Sequence, residues 1–198
     1  MLDDRDMSHD DTQTPPRRWS KSTVYPDMWA DPEDDPREFG TETTDERSTL
    51  VDYLRRYRLT LEMKCADLDP EQLARRTVPP STMSLLGLVR HMADVERNWF
   101  RREMSGLDAP PLFWSKQEPD GDFDGALPEH EVVDDAWRRW REEVAFAEEY
   151  VARTPDLGTQ GRSGAQLRDI LVHMIEEYAR HCGHADLLRE RIDGRVGQ

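Results

Sequence analysis

The chain concentrates reactive side chains in HMIEEYARHCGH, residues 173–184, where His173, Glu177, His181 and His184 could each bind a metal ion or move a proton. On a helix advancing about 100° per residue, all four project from one face. A second segment, GLVRHMADVERNWF, adds His91 beside an apolar stripe of its own. One His from one helix and a Glu-x3-His turn from its neighbour form a three-ligand set, His91, Glu177 and His181, of the N, O, N type that suits zinc or a similar divalent ion. The bland reading of the same residues is a core histidine bonded to a carboxylate, which is commoner than a metal site. Two other metal chemistries are excluded: the chain has neither HExxH nor the Glu-x-x-His pairs of a di-iron bundle.

What positions these residues is a helix with an inward seam. Leu167, Ile170, Met174, Glu177, His181, His184 and Leu188 follow steps of 3 and 4, a heptad stripe whose central members are replaced by Glu, His and His. The face therefore points inward, and a carboxylate there must be neutralised by a cation, a protonated His or a metal. His173 lies off the strict stripe.

Three more long segments share the helical period. DERSTLVDYLRRYRLTLEMKCADL places Leu50, Leu54, Tyr57, Leu61, Cys65 and Leu68 on one face. A short helix, PEQLARR, follows with Asp69 as its cap. The stretch from about Ser84 to Met104 carries Leu85, Leu88, Met92, Val95 and Trp99 as a core stripe, and EVVDDAWRRWREEVAFAEEYVA carries Val133, Ala136 or Trp137, Trp140, Val144, Ala147 and Val151. No Val, Ile and Thr-rich alternation competes, so no strands are expected. The fourth segment ends at Asp193-Gly194, where Gly suits a left-handed stop.

Four such helices make an all-α four-helix bundle. The connection SGLDAPPLFWSKQEPDGDFDGALPEH is far longer than a turn between antiparallel neighbours and is long enough to run the length of a bundle, so the order is up-down-down-up. Its aromatics, Phe113, Trp114 and Phe123, either pin a crossover or form a lid over a pocket. Residues 1–40, mixed in Asp, Pro, Ser and Thr without a period, are expected to be a mostly disordered acidic arm, with residues 41–198 forming the bundle. Tyr25 and Trp29 could dock, but a loose tail is the default. Glu96 and Arg97 are expected in helix-helix ion pairs.

Composition narrows the function. With 27 Lys plus Arg against 42 Asp plus Glu the net charge is −15, which repels a phosphate backbone, so no nucleic-acid partner is expected. No apolar run spans a bilayer and no apolar leader opens the chain, so no membrane partner and a cytoplasmic setting are expected. The two cysteines, Cys65 and Cys182, are too few for a disulfide framework and read as buried small hydrophobes.

GLVRHMADVERNWF, LVHMIEEYARHCGHADLLRERIDG and DERSTLVDYLRRYRLTLEMKCADL together resemble the actinobacterial "mini-circle" branch of the DinB-like superfamily, from about residue 31 to 196. The resemblance implies a DinB-like four-helix bundle, often a homodimer, that holds a divalent metal, Zn2+ or Ni2+ or another such ion, through three side chains. Carried over from the mycothiol-dependent maleylpyruvate isomerase branch, the ligand positions fall on His91, Glu177 and His181, while His184 stands where many relatives have Gln. Several relatives are transferases that use mycothiol or bacillithiol. The expectation is thus a metal-dependent thiol S-transferase whose partners are a small-molecule thiol and an electrophile. His184 would take the thiol proton or orient the electrophile, and His173 would hydrogen-bond to the ligands from behind. A non-catalytic bundle with a structural metal, and a metal-assisted hydrolase, remain the other readings.

Overall fold

The computed structural model describes residues 16–40 and 42–198. The first three α-helices begin where the sequence supplies a side-chain acceptor for their free amides. The Asp45 carboxylate accepts the Ser48 amide at 2.7 Å to open α1 (Glu46–Cys65), and Asp69 accepts that of Gln72 at 2.8 Å to open α2 (Pro70–Ala74). Ser84 Oγ accepts the Gly87 amide at 3.1 Å at the head of α3 (Leu85–Glu96). That helix runs directly into a π-helical stretch, Arg97–Met104. After the short α4 (Gly121–Asp124) come α5 (His130–Arg153) and α6 (Leu167–Asp193), the last closed by Gly194 at φ +83°, a backbone setting that favours glycine.

Cross-helix pairs give the directions. Glu46 meets Arg168 at one end and Lys64 meets Asp186 at the other, so α1 and α6 are parallel. His91 lies beside His181 and Trp99 beside His173, so α3 opposes α6. Arg97 pairs with Glu143 and Tyr150 donates to the Met104 carbonyl, so α5 runs with α3. The order is up-down-down-up, and residues 105–130 make the crossover that two parallel neighbours require. Among the described residues no strand forms, and no helix is long and apolar enough to cross a membrane.

The core is built from Leu61, Leu86, Leu88, Met92, Phe100, Leu167, Leu171 and Met174, each fully buried and each stabilising by about 1.5–3 kcal/mol. A polar chain crosses it. Arg58 of α1 forks onto Glu96 of α3 with two bonds of 2.8 Å, Tyr178 of α6 donates to Glu96 Oε1 at 2.8 Å, and Trp140 of α5 donates to Tyr178 at 2.9 Å. Glu96 and Arg97 do make helix-helix ion pairs, but with different helices, α1 and α5.

One expectation is corrected. The stripe on α3 was expected to end in Val95 and Trp99; instead the fully buried line runs through Leu88, Met92, Glu96 and Phe100, leaving Val95 and Trp99 half-buried. The i→i+5 bond from the Ser105 amide to the Phe100 carbonyl marks the π-helical winding that accompanies this change of face. In the arm, Trp29 is 3% exposed, with Lys64 Nζ 4.0 Å and the Arg195 guanidinium 3.7 Å from its ring centroid. Trp19 exchanges backbone bonds with residues 194 and 196, and the Trp29 amide donates to the Gln198 carbonyl. Tyr25 stays exposed. Residues 1–15 of the expected arm lie outside the described residues.

Candidate metal centre

Helix α3 delivers His91 and helix α6 delivers Glu177 and His181 one turn apart, and their donor atoms all lie within 4.8 Å of one another. His181 Nε2 stands 3.4 Å from Glu177 Oε2. Two ligands each about 2.1 Å from a tetrahedral ion are separated by about 3.4 Å, so this pair is already spaced for one. The His91 and His181 rings meet edge-on with centroids 4.8 Å apart.

Each of the three is held from its other side. His91 Nδ1 lies 2.8 Å from Asp122 Oδ2, which places the ring proton there and leaves Nε2 as the free lone pair. Glu177 Oε1 lies 3.3 Å from His173 Nε2, and His181 Nδ1 lies 3.4 Å from His184 Nδ1. Burial pushes the His181 imidazole down to about 4, helped by His91 and His184 nearby, so the ring is neutral at pH 7 and its lone pair is available. The inward face predicted for α6 is graded: His181 is buried, while His173, Glu177 and His184 are half-buried and reachable from solvent. The donor set, its spacing and the neutral His181 imidazole fit a divalent cation.

Asp122 is the residue that sequence reasoning missed. It comes from α4 in the crossover, where DGDFDG gives three alternating acids but no period to say which one turns inward. Its placement depends on close packing. Phe123 stacks on His91 at 5.5 Å, and a Cβ on Gly87 would stand 2.6 Å from the Phe123 ring, so α4 approaches α3 only because residue 87 is glycine. The crossover is thus pinned through Phe113 and Phe123, while Trp114 remains 40% exposed.

Beside His91 a cleft of about 430 Å3 opens, lined by Val95, Asn98, Trp99, Trp114 and Pro119 among others. A larger cleft of about 700 Å3 lies between the arm and residues 195–198, and four of its charged side chains are engaged in ion pairs, Arg18 with Glu190 and Lys64 with Asp186. Cys65 and Cys182 are free and buried as expected, and burial pushes both thiols up to about 12, which removes them as nucleophiles.

The family model described as Mycothiol-S-transferase matches residues 49–194, a span containing all three donors and the whole crossover. No curated protein matches the chain.

Proposed function

The chain belongs to the mycothiol-S-transferase family, and on that premise we propose that it is a divalent-metal-dependent thiol S-transferase that joins mycothiol, or a similar low-molecular-weight thiol, to a small electrophile. The observation that carries the reading is the convergence of three donor atoms from two helices, within 4.8 Å, at the edge of an open cleft. His91, Glu177 and His181 would hold the ion, for which Zn2+ is our assignment and Ni2+ the nearest alternative. A divalent ion bound there supplies the positive field that favours ionisation of a thiol at neutral pH.

The chain's own residues do the rest. Asp122 and His184 orient the two imidazoles, and His173 orients the carboxylate. His184, half-buried one turn beyond His181, takes the proton as the thiol S–H bond breaks. With a haloaromatic electrophile the sulfur pair forms the new C–S bond, and the halide leaves with the pair of the bond that breaks. A homodimer, which rests on the family resemblance, and a cytoplasmic setting belong to the same proposal.

Metal analysis of chelator-free protein, paired with a mycothiol-bimane conjugation assay, tests this. Stoichiometric divalent metal and turnover are expected in the wild type. Changing His91, Glu177 or His181 to Ala should abolish both, whereas His184→Ala should keep the metal and slow turnover. Full occupancy in His91→Ala would overturn the triad. No turnover by metallated wild type across a panel of thiols and electrophiles would return the site to a hydrolase or a structural metal.

A further inference from the structure

One turn of α3 holds the crossover at two places. Asp94 accepts the amides of Leu112 at 2.7 Å and Phe113 at 2.9 Å. Arg90 donates to the carbonyls of Asp122 at 2.8 Å and Gly121 at 3.0 Å and lies 4.1 Å over the Phe113 ring, while His91 meets the Asp122 carboxylate. The stretch between those anchors, residues 114–120, is therefore a fixed wall whose Trp114 and Pro119 share a cleft with Val95, Asn98 and Trp99. Trp99 is left half-buried where the π-helical stretch turns Phe100 inward, and it stands edge-on to His173 with centroids 4.6 Å apart. The cleft thus runs from His91 along an indole that touches the same cluster.

We propose that this cleft is the electrophile subsite, that it takes flat, uncharged aromatic electrophiles, and that Trp99 and Trp114 are its specificity-determining residues. The assignment rests on the transferase reading of the neighbouring donors. Three observations carry it. Two indoles with Val95 and Pro119 offer apolar faces in a volume of about 430 Å3, within the range of small-molecule sites. Away from the ion site at His91, the charged side chains of the lining are Asp94 and Asp122, with no Lys or Arg among them, so the cleft wall itself repels an anionic compound. Their oxygens are already engaged by the Leu112 and Phe113 amides and by His91, which leaves the Asn98 amide and the indole N–H groups for a ligand. A polyhydroxylated sugar thiol would find too few partners there.

Binding is tested without turnover by titrating the metallated protein with m-dinitrobenzene, which has no leaving group, in the absence of thiol. Fluorescence quenching should report saturable binding, weakened about tenfold or more in Trp114→Ala and in Trp99→Ala and largely restored in Trp114→Phe. In the metal-free wild type, where no bound cation draws the carboxylate, dinitrobenzoate should bind at least tenfold more weakly than dinitrobenzene. In turnover, Trp114→Ala should raise KM for a haloaromatic and not for the thiol. Undiminished dinitrobenzene binding in Trp114→Ala, tight dinitrobenzoate binding to the metal-free wild type, or a rise in thiol KM instead would overturn the subsite. Binding as expected without turnover in any thiol would leave the subsite standing and overturn the transferase.

Discussion

Glu96 and Glu177 are two carboxylates on neighbouring helices that turn toward the same bundle, and their surroundings differ in kind. Glu96 is fully buried, with a two-bond fork from Arg58 and a hydroxyl bond from Tyr178, all at 2.8 Å. Glu177 is half-buried, and its neighbours are two imidazoles at 3.3 and 3.4 Å, one of which burial keeps neutral. The first carboxylate is neutralised by a fixed cation and wholly enclosed by the core, so no further cation reaches it. The second converges with lone pairs rather than with a permanent positive charge, and a cation is what such a set lacks. A polar cluster inside a bundle is therefore read by what remains open on it, not by how many charges it holds.

The largest effect should come from breaking the saturated cluster. Glu96→Ala leaves the Arg58 guanidinium buried with only the exposed Glu148 at 3.5 Å, and should cost about 3–5 kcal/mol in denaturant unfolding. Metal bound per folded chain should not change. Glu177→Ala should do the reverse, abolishing metal binding while moving the metal-free protein by less than about 1 kcal/mol. If Glu96→Ala also empties the site, the two clusters are one unit and the contrast fails.

Trp29 extends the contrast to the arm, because there a π-face, not a carboxylate, meets the cations of Lys64 and Arg195. Trp29→Ala should cost about 3 kcal/mol, through the cavity left and two cations uncovered, with metal content again unchanged. A thermal midpoint within error of wild type would return the arm to the loose tail that its composition suggested.

What the sequence makes legible follows from period. The long helices and the meeting of His91 with Glu177 and His181 derive from apolar residues at steps of 3 and 4, which fix both the face and the level of each polar substitution, and the order of the helices follows from the length of the crossover. Three features have no such signal. Asp122 reaches His91 from an irregular crossover, where alternating acids carry no facing information. Trp29 is a lone aromatic whose partners lie on α1 and beyond the end of α6, far away in sequence. Trp99 fits the stripe that an ideal α-helix would bury, and the π-helical winding at residues 97–104 gives its core place to Phe100.

The open cluster also depends on the group behind it, which the saturated one does not. Asp122→Asn keeps the size of the side chain but removes the charge that fixes the His91 ring proton, and should weaken metal affinity about 10–100-fold without emptying the site at saturating metal. Competition with a chromophoric chelator measures this. Wild-type affinity in the variant would mean that His91 is oriented by Phe123 packing alone.

The smallest effect separates the clusters by pH. In the unfolded chain the His181 imidazole titrates near its ordinary 6.5, and in the metal-free folded protein burial with His91, His184 and Arg180 nearby brings it to about 4, against the opposing pull of Asp122. Between those values the unfolded chain binds a proton that the folded chain does not. The sign follows: this contribution is present in full above pH 6.5, declines as pH falls toward 4, and is lost below that. Allowing for solvent access to the ring, it should amount to about 1–2 kcal/mol. Arg58 and Tyr178 of the saturated cluster add nothing in that window, since both are shifted upward from already high values. Many carboxylates also titrate there, so the measurement is a difference: urea unfolding of metal-free wild type and His181→Asn at several pH values from 4 to 7. The gap between the two curves should change by that amount as pH falls, in the direction that disfavours the wild type. A constant gap would show that His181 is already protonated or freely solvated in the folded state, and the open cluster would then have to expel a proton before it could accept a cation.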